Sequence, residues 1–317
     1  MAQPGYAQVH IDAPLTNISV AYMQDAKNFI AGQVFPDLPV DKQSNKYFIF
    51  DRASFLRDSM RKRGPGEESA GSGYTLSNDS YYCDVFGLHK DISDIDRANT
   101  DSPLDPDRNA TQFITQQALI RREVQWTTDF FTTGVWGTDT TVAAQWSDYV
   151  SSDPLGDVET AKSVILSATG QEANTLVLGY GAFIKLKNHP DIVDRIKYTS
   201  ARVVTEEVLA SLFGVGRVLV PKAIVDSVAE GKTSAPALVQ GKHALLCHVA
   251  PSPGLEVPSA GYTFSWKGLA PGYTGVGAAM NKFRMEQLMG DRVEGHVAFD
   301  FKAVGTALGV FLPSVSA

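Results

Sequence analysis

The sequence predicts a mixed α+β protein built around one helix far longer than a small globule needs. Three stretches carry that prediction. "LDPDRNATQFITQQALIRREVQWTTDFFTTG" (104–134) has capping residues at both ends and apolar residues at helical spacing. "DRVEGHVAFDFKAVG" (291–305) alternates with the period of two that marks a strand with one wet face. "KYFIFD" (46–51) and "YYCDVFGLHK" (81–90), both rich in strand formers, flank about thirty polar and Gly-rich residues, which predicts a β-hairpin with a long insert at its tip.

Residues 1–39 carry little continuous pattern. Within them "ISVAYMQDAKNFIAGQVFP" predicts a short helix over Val20–Ile30, stopped by Gly32 and Pro36, and the rest reads as an extended leader. The N-terminus lacks the basic start and apolar core of a signal peptide, and no apolar run approaches the ~18–20 residues that cross a bilayer. A chain made in the cytoplasm, without a membrane partner, is expected. The hairpin insert exceeds the ~12–15 residues that ordered loops usually reach, so its length points to function. Its tip, "RKRGPGEESAGSGY" (61–74), runs Arg61, Lys62 and Arg63 into Gly64-Pro65-Gly66 and then Glu67-Glu68.

In the long segment Asp105 suits the N-cap, Pro106 the first helical position and Gly134 the C-terminal cap, which predicts a helix over 106–133. Such a rod is about 40 Å long at ~1.5 Å per residue. Phe113, Ile120, Val124 and Phe131 form one expected stripe, with Leu119, Trp126 and Phe130 beside it. A second helix is expected from an Asp157 cap to Gly170, burying Val158, Ala161, Ile165 and Ala168. "NTLVLG" (174–179) reads as a buried strand. Short helices follow over Tyr180–Asn188, Pro190–Lys197 and Glu206–Phe213, the last between a Thr205 N-cap and a Gly214 stop. "RVLVP" (217–221), "HALLCHVA" (243–250) and "YTFSWK" (262–267) are further strands, and "NKFRMEQLM" (281–289) is expected to pair with 291–305.

The sequence offers no catalytic constellation. Its 317 residues are 44% hydrophobic and 20% charged, and a net charge of −7 argues against a dedicated nucleic-acid binder. The glycines at 64, 66, 71 and 73 do not form a P-loop, because Glu67 and Glu68 beside them would repel phosphate. No HExxH, zinc-ligand spacing or G-x-S-x-G elbow occurs. His243 and His248, five apart on a presumed strand, would point to opposite faces. Cys83 and Cys247 lie in apolar runs and read as buried free thiols. "DISDIDRANTD" (91–101) clusters Asp91, Asp94, Asp96 and Asp101 without the spacing of a calcium loop, and reads as a polar loop entering the long helix. No cofactor or metal is expected.

The order of elements, from extended leader through long hairpin and solitary helix to a mixed globular part and returning strands, resembles the major capsid proteins of tailed bacteriophages. Those proteins share the Hong Kong 97 fold. "YFIFDRASFLRD", "GPGEESAGSGYTLSNDSYYCDVFGLHKDI", "DRNATQFITQQALIRREVQW", "FTTGVWGTD" and "TEEVLASLFGVGRVLVPKAI" are similar to phage coat-protein phrasing. The resemblance spans about residue 10 to about residue 310 and implies an assignment of parts. Residues 1–39 would be the N-arm and 40–96 the extended loop. Residues 97–175 and 285–317 would be a peripheral domain with a spine helix over 106–133, and 176–284 the axial domain. It further implies a protein that assembles with itself into hexamers and pentamers of an icosahedral head. Its implied partners are a separate scaffolding protein, a portal, an optional decoration protein, and double-stranded DNA held without sequence-specific contacts. The location is the virion, after assembly in the host cytoplasm. Arg57, Arg61, Lys62, Arg63, Glu67 and Glu68 at the loop tip would contact a neighbouring subunit. Some relatives cross-link through a loop lysine; Lys62 is the nearest counterpart, with no acceptor identified. An encapsulin-type nanocompartment shares the implied fold and is the first alternative, and a soluble enzyme of unknown class the second.

Overall fold

The computed structural model describes residues 23–100, 104–197, 203–229, 231–254, 257–270, 273, 275 and 277–317. The first residues of the helix expected over Val20–Ile30 lie outside these, as does Asp101. The remainder forms a 3-10 turn at Ala26–Asn28, capped by Asp25, and then helix α1 at Ala31–Val34, so Gly32 lies inside a helix instead of ending one. Strand β1 (Asp37–Val40) runs parallel to a distant strand at Tyr262–Trp266.

The expected hairpin forms between β2 (Ser44–Phe50) and β3 (Leu76–Tyr82), antiparallel from Ser44 opposite Tyr82 to Phe50 opposite Leu76. A short helix α2 (Arg52–Leu56), capped by Asp51, stands at the start of the insert. The run 81–90 is not one strand, however. The hairpin ladder ends where Cys83 donates its backbone N–H to Gln43 O (2.9 Å) and accepts from Gln43 Nε2 (3.0 Å). The chain then starts β4 (Asp84–Ser93), which pairs with the long C-terminal strand instead. Buried Cys83 marks the switch of partner. Asp91 belongs to β4, and Asp94 and Asp96 open helix α3 (Asp94–Asn99), so this stretch is a strand end and a helix where the sequence suggests a polar loop.

The spine helix α4 (Pro106–Phe130) begins as expected, with Asp105 Oδ1 accepting from the backbone N–H of Asp107 (3.0 Å) and Arg108 (3.3 Å). It stops before 133. Trp136 folds back and its indole N–H donates to Phe130 O (2.7 Å), satisfying a last-turn carbonyl that continued helix would have used. Gly134 takes its positive φ (82°) in the loop beyond. The buried face agrees with expectation at Trp126, Phe130 and Phe131 and departs from it nearer the N-terminus. Ala110, Ile114, Trp126 and Phe130 are buried, while Phe113 is exposed with Lys90 Nζ 6.0 Å from its ring centre. The helix lies across a sheet at one end and in an aromatic cluster at the other, and both contacts select the Ile114 side.

Strand β5 (Thr138–Asp139) is followed by helix α5 (Pro154–Thr169). Its N-cap is Asp153, not Asp157, because Pro154 fits the first turn and starts the helix earlier. Asp157 instead accepts from the Trp146 indole (2.9 Å). Val158, Ala161 and Ile165 are buried as expected, Ala168 in the last turn is only half-buried, and Gly170 ends the helix at φ 70°. Strand β6 (Thr175–Leu178), helices α6 (Tyr180–Lys187), α7 (Pro190–Ile196) and α8 (Glu206–Phe213), and strand β7 (Arg217–Leu219) come next. Thr205 and Gly214 bound α8 as the sequence indicates.

The small hairpin β8–β9 (Ile224–Asp226 with Pro236–Leu238) precedes β10 (Ala244–Cys247), so His243 and His248 flank that strand and neither lies on it. Then come β11 (Tyr262–Trp266), β12 (Ala279–Met285), β13 (Gly290–Lys302) and β14 (Gly309–Leu312).

Two five-stranded sheets organise the subunit. In the first, β13 pairs with β4 along one side and with β12 and then β11 along the other. The spine helix packs across β13, closing a small core of Ile92, Ala110, Ile114 and Val293. The second sheet has the order β5-β14-β10-β6-β7 and is wrapped by α5 to α8. Between the sheets lies an aromatic cluster of Phe35, Trp126, Phe130, Trp136, Phe299, Phe301 and Phe311.

Candidate assembly surface

Among the described residues, the β2–β3 hairpin is anchored to the body at its base. There the Tyr81 ring stacks on Phe264 with centroids 4.5 Å apart, beside buried Cys83 and Ala298. Tyr82 donates its backbone N–H to Asp300 (2.9 Å), and Tyr47 rests against Phe264 (5.5 Å) while its hydroxyl donates to Asp79 (3.1 Å). Away from the base, alternation puts Lys46, Phe48 and Phe50 on one face, opposite Ser80, Asn78 and Leu76. Phe50, Phe55 and Tyr74 then meet as three rings with centroids 5.8–5.9 Å apart. Phe55 is 61% exposed, Tyr74 62% and Met60 91%, and Phe48, Leu56 and Leu76 are exposed as well. This subunit leaves that face uncovered. Exposed aromatic rings gathered on an arm mark a docking surface.

Sequence reasoning missed this face because it weighed the charges of the tip and read the flanking aromatics only as strand formers. Where the tip residues sit is now plain. Arg57 follows α2, and Arg61, Lys62, Arg63, Glu67 and Glu68 are all exposed. Two of the six are partly used inside the tip: Glu67 Oε2 accepts from Gly64 N (3.0 Å), and Arg63 Nε donates to Glu67 O. Gly66 takes φ 83°, so its lack of a side chain lets the tip turn.

A second charged set ties the base of β4 to the spine helix. Arg292 forms a fork with Asp91 (2.7 and 2.8 Å), and Arg284 does the same with Asp94 (2.6 Å each). Arg97 bridges Asp291 (2.7 Å) and Asp107 (3.0 Å), and Lys282 reaches Asp107 (2.8 Å). Every carboxylate named there has a cationic partner, which explains why Asp91 and Asp94 do not gather into a metal site; no metal-holding group occurs among the described residues. These hydrogen bonds hold the carboxyls of Asp91, Asp94, Asp107 and Asp291 below the ordinary range. A depressed carboxyl stabilises the fold above its unfolded pKa, and the contribution is lost as pH falls through the folded value. The melting temperature of the unassembled subunit should therefore drop below about pH 4. Asp291→Asn, which cannot titrate, should make that drop shallower; an equal slope in both proteins would contradict the assignment.

The nearest approach to enzyme chemistry is buried. Ser152 Oγ lies 2.9 Å from His189 Nε2, with Asp191 Oδ2 3.8 Å from Nδ1. Yet His189 Nδ1 accepts from the backbone N–H of Asp191 (3.3 Å), capping α7. Nε2 therefore carries the proton and donates to Ser152, the reverse of what a base needs to activate a nucleophile. Two cavities, of about 50 Å³ beside the spine helix and about 240 Å³ near Asp291, fall short of the ~300 Å³ typical of small-molecule sites. Burial pushes the thiols of Cys83 and Cys247 up to about 12, so both behave as packing groups.

No family model matches the sequence. It is 25% identical over 268 residues to the major capsid protein of Burkholderia phage BcepMu, covering 81% of this chain and 84% of that one. It is 30% identical over 192 residues to the major capsid protein of Pseudomonas phage JBD67, covering 58% of each. Among solved structures, a phage-related protein from Bordetella bronchiseptica RB50 superposes with a TM-score of 0.68 at 23% identity, over 92% of this chain and 94% of that one. The capsid of cyanophage P-SCSP1u gives 0.62 at 11% identity, over 98% and 94%. The chain has the Hong Kong 97 capsid fold. Encapsulins share that fold: the holo-SrpI encapsulin of Synechococcus elongatus PCC 7942 superposes at 0.57 with 12% identity, over 100% and 98%. Sequence relatives bearing the name major capsid protein are what separates the two readings.

Proposed function

We propose that this chain is the major capsid protein of a tailed bacteriophage, assembling with itself into the icosahedral head that encloses double-stranded DNA. The observation that carries the reading is the hairpin with an uncovered aromatic face, held out from a capsid-fold body. An isolated two-stranded hairpin is marginal in water, so an arm of this kind gains its stability by lying on a second molecule. In a shell built of many copies that molecule is the next subunit. The role is structural, not catalytic.

The parts follow the resemblance: N-arm 1–39, extended loop 40–96, peripheral domain 97–175 and 285–317, axial domain 176–284. A net charge of −7 suits a wall that holds DNA as contents without a tight, salt-dependent grip on phosphate. A separate scaffolding protein and a portal are the further partners, with an external decoration protein optional. The shell belongs to the virion and assembles in the host cytoplasm.

Electron microscopy of the protein, expressed with and without its neighbouring genes, tests the reading. Closed polyhedral shells or capsomer-sized rings are expected, and monomers under every condition would overturn it. Nucleic acid inside native particles would favour the phage; a packaged enzyme would favour the nanocompartment. At the loop tip, reversing Arg61, Lys62 and Arg63 to Glu should slow or prevent closure while leaving the subunit folded. Because exposed ion pairs contribute only ~0–1 kcal/mol each, raised salt should weaken wild-type assembly in the same direction. Unchanged shell yield from the triple variant would remove these residues from the contact.

A further inference from the structure

Two glutamines in series join the spine helix to the β8–β9 hairpin, with residues 24–28 between them. Gln116 is buried on the spine helix. Its amide meets the backbone of Gln24, donating to Gln24 O (3.2 Å) and accepting from Gln24 N–H (3.3 Å). The reverse orientation would set oxygen against oxygen. The half-buried Gln24 side chain repeats the pattern: Nε2 donates to Ile224 O (2.6 Å) and Oε1 accepts from Ile224 N–H (2.8 Å). A primary amide presents a donor and an acceptor side by side, as a strand edge does. Each glutamine therefore stands in for one residue of a neighbouring strand.

Strand β8 needs such a partner. It forms a sheet of two strands with β9, and a pair of strands alone is marginal in water. Ala223 O accepts from Val239 N–H (3.0 Å) on the β9 side, so alternation turns the N–H and C=O of Ile224 to the outer edge. On that same edge Lys222 N–H donates to Asn28 O (3.1 Å). Residues 24–28 thus line the outer edge of β8, bent by the 3-10 turn that Asp25 caps. Ile224 and Leu238 are both exposed, so little apolar burial holds the hairpin in place. Past the turn the chain is fixed again, where Ile30 and Ala31 donate their N–H groups to Glu123 Oε2 (2.9 and 2.8 Å) on the spine helix. Residues 24–28 can lift from the body while the segment after them stays seated.

We propose that Gln116 and Gln24 form a relay through which the seating of residues 24–28 on the spine helix controls the order of the β8–β9 hairpin. Seated, the segment completes the edge of β8. Lifted, it carries away the Gln24 amide and the Asn28 carbonyl together and frees the hairpin. Such coupling is reciprocal: whatever draws off residues 24–28 loosens β8–β9, and whatever orders β8–β9 seats the segment. The relay lies within one subunit and stands whether or not the chain builds a shell.

Hydrogen exchange read by mass spectrometry on the full-length, unassembled subunit tests it. Methionine nearly matches glutamine in size and helix preference and cannot pair with a backbone edge, so it removes the hydrogen bonds and keeps the packing. In Gln24→Met the peptide spanning 222–226 should exchange about tenfold faster, the effect of losing one or two hydrogen bonds. Gln116→Met should speed the same peptide, although the partner of Gln116 is Gln24 and not β8. Because the two contacts act in series, the double variant should exchange there no faster than Gln24→Met alone. A peptide from β13 should keep its wild-type rate in all three. An unchanged 222–226 peptide in either single variant, effects that add in the double variant, or loosening shared equally by β13 would overturn the relay.

Discussion

A variant carrying Phe55→Ser and Tyr74→Ser is expected to remain a folded subunit and to form no closed shells at wild-type concentrations. Both rings are mostly exposed in the subunit, so their removal forfeits little of its own stability. Covered by a neighbour, each ring would contribute roughly 1.5–3 kcal/mol of burial, against ~0–1 kcal/mol for an exposed ion pair at the tip. The aromatic face therefore outranks Arg61, Lys62 and Arg63 as the driving contact. Losing about 3 kcal/mol per contact weakens pairwise association on the order of a hundredfold. That loss recurs at every copy. Circular dichroism would report the fold, and sedimentation velocity the assembly. Normal shells would remove the face from the interface, and an unfolded variant would mean that the rings serve the subunit itself.

Trp126→Ala should give the largest loss of subunit stability. The indole is fully buried, with ring centroids 5.8 Å from Phe130, 5.9 Å from Phe131 and 6.3 Å from Phe35. Large-to-small changes of this kind cost about 3–5 kcal/mol. One effect opposes the loss: the indole N–H is buried without a partner among the described residues, and deleting it relieves that cost. A value near the lower end, about 3 kcal/mol, is expected from the urea midpoint of unassembled protein. Leu119→Ala, at a half-buried position of the same helix, should cost clearly less. A Trp126→Ala loss under about 1 kcal/mol would mean that the aromatic cluster does not hold the two sheets together.

Features written by local chemistry were legible in the sequence. Thr205 and Gly214 bound α8, Asp105 and Pro106 open the spine helix, and the alternation of 291–305 forecasts β13. Features decided by a distant partner were not. Cys83 ends one strand and the next begins beyond it because β13 forms its ladder with β4, while β3 pairs with β2. Phe113 and Ile114 are equally apolar, and the position of the sheet decides which is buried. Glu123 gave no local sign of burial, since its partners Ile30, Ala31 and Gln240 are far along the chain. The charged tip was found and its aromatic flank was not, because strand-forming residues read alike whether they face a core or a second molecule.

The central claim is that the aromatic face of the hairpin is covered by a neighbouring subunit. Hydroxyl-radical footprinting compares it directly in dissociated subunits and assembled shells, because Phe, Tyr and Met side chains react readily when exposed. Phe48, Phe55, Met60 and Tyr74 should label strongly in the subunit and be protected in the shell, while buried Trp126 stays unlabelled in both. Equal labelling of the four in subunit and shell would contradict the account.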